Sequence, residues 1–132
     1  MATTPPFTLA ALPILLTQLK NGQLEFDFVG ITHNYDDCLY IVSEPQGFAI
    51  EFEALTPTQI PWLKKLSQFA QQTGNVPVLT TYHNKPQYAN ASEAPVLRLA
   101  SHCSEPQAIH LVQQIMQEVF GNPATTVYTL LP

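Results

Sequence analysis

The sequence predicts an α+β fold: an antiparallel sheet of five strands, six if the C-terminal tail joins it, packed with three helices in the order α-β-β-β-α-β-β-α(-β). Three observations predict it. Three stretches repeat apolar residues at helical spacing. Five others alternate or run apolar over strand lengths. The first three strand stretches are joined by turns too short for a parallel crossover. With 132 residues, 45% of them apolar, the chain suits a single domain, residues 1–132, with a substantial core.

Taken in order, residues 1–7, MATTPPF, read as a flexible arm. In FTLAALPILLTQLKNG, Leu12, Leu15, Leu16 and Leu19 share a helix face. Pro13 has no amide hydrogen, so the helix begins near Leu12 or kinks there, and Gly22 stops it. LEFDFVGI alternates, with Leu24, Phe26 and Phe28 inward and Glu25 and Asp27 outward. HNYDD turns the chain into CLYIV, residues 38–42, apolar on both faces like a central strand. After SEPQG, FAIEFEA puts Phe48, Ile50 and Phe52 inward and Glu51 and Glu53 outward. These three strands form a meander.

The second helix lies in TPTQIPWLKKLSQFAQQTGN. Thr58 as N-cap would place Pro61 at the third helical position, where its missing donor costs nothing. Ile60, Leu63, Leu66, Phe69 and Ala70 make its buried stripe, and Gly74 ends it. VPVLTTYH, residues 76–83, and VLRLASH, residues 96–102, have strand composition. Pro77 puts the first of them at an edge or at its own first residue. The connecting loop NKPQYANASEAP, residues 84–95, is long for a hairpin. Ser104 and Gln107 have the spacing of a capping box before the third helix. Its stripe is Ile109, Val112, Ile115, Met116 and Val119, which leaves His110 on the wet side. ATTVYTLLP is a sixth strand or a docked extended arm.

Charge narrows the function. Only 11% of residues are charged, against about 25% in ordinary domains. A weakly charged surface favours self-association or a partner-covered face. The net charge is −5, and the basic residues are Lys20, Lys64, Lys65, Lys85 and Arg98, with no cluster to neutralise phosphates. Neither nucleic acid nor an anionic membrane is expected as a partner. MATTPPF lacks the basic residues of a secretory leader, and LAALPILL is shorter than the roughly 20 apolar residues of a membrane span. A cytoplasmic location is expected, with Cys38 and Cys103 as two buried, reduced thiols.

SHCSEPQAIH, residues 101–110, concentrates His102, Cys103 and His110. These are zinc-binding residue types, but neither the H-x₃₋₅-H nor the C-x₂₋₄-C spacing is met. No metal, cofactor or catalytic residue is assigned. The acids Glu25, Asp27, Glu51 and Glu53 are expected on a solvated face. The long loop and its surroundings offer Trp62, Tyr82, His83 and Tyr88 as aromatic and imidazole anchors for a partner or ligand.

The succession helix, three strands, helix, two strands, helix over residues 9–120 resembles that of the type III secretion chaperone-like group of small bacterial domains, as do the chain's size and acidity. The resemblance implies a homodimer that binds a partner polypeptide without a cofactor. The expectation is therefore a non-enzymatic, chaperone-like interaction domain of a bacterial cell. The alternative is a small enzyme or ligand-binding protein with a pocket under the 84–95 loop, using His83, His102 and Cys103.

Overall fold

A computed structural model of the chain describes residues 7–54, 56–81 and 95–131. A short 3₁₀ turn, Leu9–Ala11, leads into α1, Leu12–Lys20. The meander follows as β1 Phe28–Thr32, β2 Leu39–Glu44 and β3 Gly47–Glu53. Then come α2 Ile60–Gln72, β4 Val78–Thr81, β5 Pro95–Cys103, α3 Glu105–Gln114 and β6 Thr129–Leu131. Among the described residues, three helices and a six-stranded antiparallel sheet make this an α+β architecture, in the order the sequence predicts.

The sheet runs β4-β5-β3-β2-β1-β6. The meander pairs as expected, while β5 lies against β3 rather than at the rim. That makes β3 central. Its inward residues Phe48, Ile50 and Phe52 join Leu39 and Ile41 of β2 and Leu97 and Leu99 of β5 in one core. Leu12, Leu16 and Leu19 of α1, Leu66 and Ala70 of α2, and Ala108 and Val112 of α3 close it from the helix side. Each buried Leu, Ile or Phe contributes about 1.5–3 kcal/mol relative to exposure.

Local signals place the helix ends. Pro13 and Pro61 both fall in first turns, where no amide hydrogen is needed. Ser104 Oγ accepts the Gln107 amide at 3.2 Å, and Gln107 Oε1 accepts the Ser104 amide at 2.9 Å, completing the capping box. Past Gln114 the helix widens into a π-helical turn, Ile115–Val119, which carries Ile115 and Met116 into the core.

Several expectations shift. Residues 24–27 form bends rather than strand, so Val29 and Ile31, not Phe26 and Phe28, face the core. Moving the strand phase by one residue exchanges the two faces. Thr58 does not cap α2: its hydroxyl donates to Asp36 Oδ1 at 2.8 Å, and the helix starts after Gln59. The buried face of α3 runs through Ala108, Leu111 and Val112, with Ile109 and Val119 only half-buried. Residues 1–6 of the expected arm lie outside the described residues, but Phe7 makes an antiparallel bridge to Tyr128 and packs on the core. The tail forms β6 against β1.

Candidate functional site

Of the four anchors read from the sequence, Tyr82, His83 and Tyr88 lie outside the described residues. Trp62 is half-buried where α2 meets the end of α3. Its ring lies 4.7 Å from that of Phe120, with Lys65 Nζ 4.6 Å over its face. That arrangement packs the indole and screens its outer side with a cation.

The strand end and helix start that carry SHCSEPQAIH do converge on a cleft. It encloses about 350 Å³ between the end of β5, the first turns of α3 and the residues after α2. His102, Cys103 and His110 all line it, with Thr73, Asn75 and Gln107 among their neighbours. His102 sits at φ +56, in the left-handed region, and its amide donates to Glu44 Oε1 at 3.3 Å. The left-handed residue breaks the strand alternation, so adjacency no longer sends the two side chains to opposite faces. The chemistry of the cleft is nevertheless quiet. Burial, with the Glu44 carboxylate adding to it, raises the Cys103 thiol above its ordinary pKa, the opposite of an activated nucleophile. Among the described residues, no three His, Cys, Asp or Glu side chains stand together as a metal would require.

Cys38 is quieter still. Burial pushes its thiol up to about 12; a hydrogen bond with Tyr40 works against that, and the Glu53 and Asp37 carboxylates add to it. Both cysteines are free and buried. The native protein is therefore expected to resist iodoacetamide at mildly alkaline pH, and both thiols should be alkylated once urea unfolds it. Mass spectrometry before and after denaturation checks this. Rapid labelling of Cys103 in the native protein would restore the case for a reactive site.

The acids divide. Glu25 and Asp27 are exposed, before β1. Glu51 and Glu53 are not solvated as the alternation suggests: they point away from the helices, yet are only 2% and 4% exposed. The pairing of β5 with β3 is one reason, because it brings Arg98 across from Glu51. Arg98 Nε and Nη2 reach Glu51 Oε2 at 3.0 and 2.9 Å, and Nη1 reaches Glu44 Oε2 at 2.9 Å. Burial works against the guanidinium charge, but the two carboxylates outweigh it and hold its pKa above the ordinary value. The charges that look like a wet face in the sequence thus lock β2, β3 and β5 together.

The sheet's opposite margin is apolar. Leu24, Phe26, Phe28 and Val29 line a groove of about 200 Å³ with Leu15, Leu130 and Leu131. Phe26 and Leu130 are exposed, and the rings of Phe26 and Phe28 stack at 5.2 Å. Glu25 stands on the rim. The strand beside it, β6, has β1 on one side; on the other, among the described residues, only the Phe7–Tyr128 bridge extends the sheet. Sequence reasoning missed this groove because it took Phe26 and Phe28 as core residues. An apolar run whose polar partners are both acids, Glu25 and Asp27, was the available signal.

Among the described residues, no helix is long and apolar enough to cross a membrane. A scan against protein-family models, a search of curated proteins and a search of solved structures each return no match.

Proposed function

We propose that this chain is a non-enzymatic, chaperone-like interaction domain of the bacterial cytoplasm that self-associates and holds a partner polypeptide. The observation that carries the reading is the apolar groove beside β6, the outermost strand among the described residues, with Phe26 and Leu130 exposed at it. Extended polypeptides bind such margins by adding main-chain hydrogen bonds at the edge and side chains in the adjoining groove. The acids Glu25 and Asp27 favour a segment with basic residues next to its apolar ones. The low charge of the whole chain and its resemblance in element order to the secretion chaperone-like domains point the same way. The rival reading, an enzyme or small-ligand protein, rests on the cleft that gathers His102, Cys103 and His110. The raised thiol tells against it.

The test pairs the native protein with a Phe26→Ser, Leu130→Ser double variant. Both side chains are partly exposed, so the double change is expected to cost about 2 kcal/mol and leave the domain folded. Each is used as bait in the native cell extract, with mass spectrometry as readout. A polypeptide retained by the native protein and at least about tenfold depleted with the variant is the expected result. Identical captures by the two baits would end the reading.

A further inference from the structure

Four asparagines lie among the described residues: Asn21, Asn34, Asn75 and Asn122. Three are protected, each by a different feature. Asn122 is buried and precedes Pro123, which has no amide hydrogen. Asn34 holds its side-chain oxygen against the amides of Asp36 and Asp37 at 3.1 and 3.3 Å. Asn75 donates from its side chain to Thr73 Oγ1 at 3.0 Å and precedes the β-branched Val76. Asn21 has none of these. It is exposed, its side chain makes no hydrogen bond among the described residues, and the next residue is Gly22, also exposed.

The pair ends α1. Asn21 sits just past the helix at φ −85 and ψ 4, and Gly22 follows at φ +69. An added Cβ on Gly22 would meet nothing within 4 Å, so this corner stands clear of the rest of the chain. The Gly22 amide donates to the Leu19 carbonyl at 3.3 Å, a long bond, and the Gln23 amide donates to the Gln18 carbonyl at 2.9 Å. At ψ 4 the Gly22 nitrogen is turned away from the side-chain carbonyl carbon of Asn21. To reach it, the backbone must swing toward the extended region. Two bonds at a helix end resist that turn, and helix ends open at almost no cost. Glycine neither crowds the approach nor restricts the rotation.

We infer that Asn21–Gly22 is a self-modification site: in the folded protein the Gly22 nitrogen attacks the side-chain amide carbon of Asn21. The new C–N bond closes a succinimide ring. The bond from that carbon to Nδ2 breaks, and the amide nitrogen leaves as ammonia, carrying the proton from Gly22. Water then opens the ring at either carbonyl. The product is aspartate or, where the main chain now runs through the former side chain, isoaspartate. Both place a carboxylate at the C-terminal end of α1, against the helix dipole. Isoaspartate also lengthens the main chain by a methylene, so the Gln23 amide no longer meets Gln18. Leu24, Glu25 and Phe26 follow directly and line the apolar groove. The modification therefore loosens one wall of that groove. The reaction does not depend on the proposed function; only its consequence for partner binding rests on that reading.

The native protein is aged at mildly alkaline pH and physiological temperature, and its peptides are mapped by mass spectrometry. Asn21 is expected to convert from amide to acid at least about tenfold faster than Asn34 or Asn75. Labelling by an isoaspartyl methyltransferase is expected to find isoaspartate at the same position. Gly22→Ala is expected to slow the conversion by a similar factor. Circular dichroism establishes that this variant is folded; if it is not, the ranking of the asparagines in the native protein decides. Conversion at Asn21 no faster than at Asn75, or conversion that starts only once urea unfolds the chain, overturns the inference. Anion exchange separates the aged fraction by its added charge. Hydrogen exchange over residues 18–27 is expected to be faster in that fraction than in fresh protein, and equal exchange would overturn the effect on the groove. Neither readout involves a partner, so this inference and the proposed function fail separately.

Discussion

Replacing Gly47 with alanine is expected to destabilise the protein by about 3–5 kcal/mol, a large share of the roughly 5–15 kcal/mol that holds a domain folded. Gly47 opens β3 directly after the Pro45-Gln46 turn, at φ +92. A side chain in the left-handed region costs about 1–2 kcal/mol by itself. At this position an added Cβ would also run into the carbonyl oxygen of Cys103. That oxygen belongs to the backbone of β5, beside the irregular β3–β5 register near Phe48 and Ile50, and cannot swing aside. Relief would require β5 to move, and with it the capping box and the cleft around His102. Gly74 provides the control. It has φ +85, but a Cβ there meets nothing within 4 Å. Gly74→Ala should therefore cost only the conformational part, about 1–2 kcal/mol. Urea unfolding of the two variants separates the contributions, and equal losses would refute the close approach of β3 to β5.

Asp37→Ala is expected to cost a similar amount, about 3–5 kcal/mol, for a different reason. The Asp37 side chain is 1% exposed and ties a knot. Its Oδ1 accepts the Thr32 hydroxyl and the His33 amide at 2.8 Å each, and the Asn34 amide at 3.1 Å. Its Oδ2 accepts the Asn122 side-chain amide at 2.7 Å. Truncation strands these donors in a site with little access to water, which costs more than the net worth of the bonds. The knot joins the β1–β2 turn to the segment after α3, and Thr32 Oγ1 also receives the amide of Tyr35, held at φ +69. Asn122→Ala removes one of the four donors and should cost about 1–3 kcal/mol. The double variant should fall short of the sum of the singles by at least about 1 kcal/mol, because the residues touch. Additive losses in the cycle would show that Asn122 is not bonded to Asp37 in solution.

The Asp37 knot also shows what a linear reading misses. The turn HNYDD is recognisable from its composition, but nothing local tells which of its two aspartates is buried. Asp36 faces Thr58 near the surface, and Asp37 enters the interior because Asn122, 85 positions along the chain, comes to meet it. Trp62 is legible as an aromatic of consequence; its pairing with Phe120 follows only from α2 lying against the end of α3. The apolar groove stayed hidden because a four-residue bend moved β1 out of the phase that Leu24, Phe26 and Phe28 suggest.

By itself the sequence determined the helices and strands, their order, the antiparallel meander and the capping box at Ser104. Each is encoded by spacing over a few residues, where the backbone's own periodicity and hydrogen-bonding needs decide. Only the tertiary structure decided that β5 enters beside β3, that Glu51 and Glu53 are interior, and that β4 and β6 are the outermost strands of the sheet. Strand neighbours far apart in the chain are selected by the packing of the whole core, whose energy no local window contains.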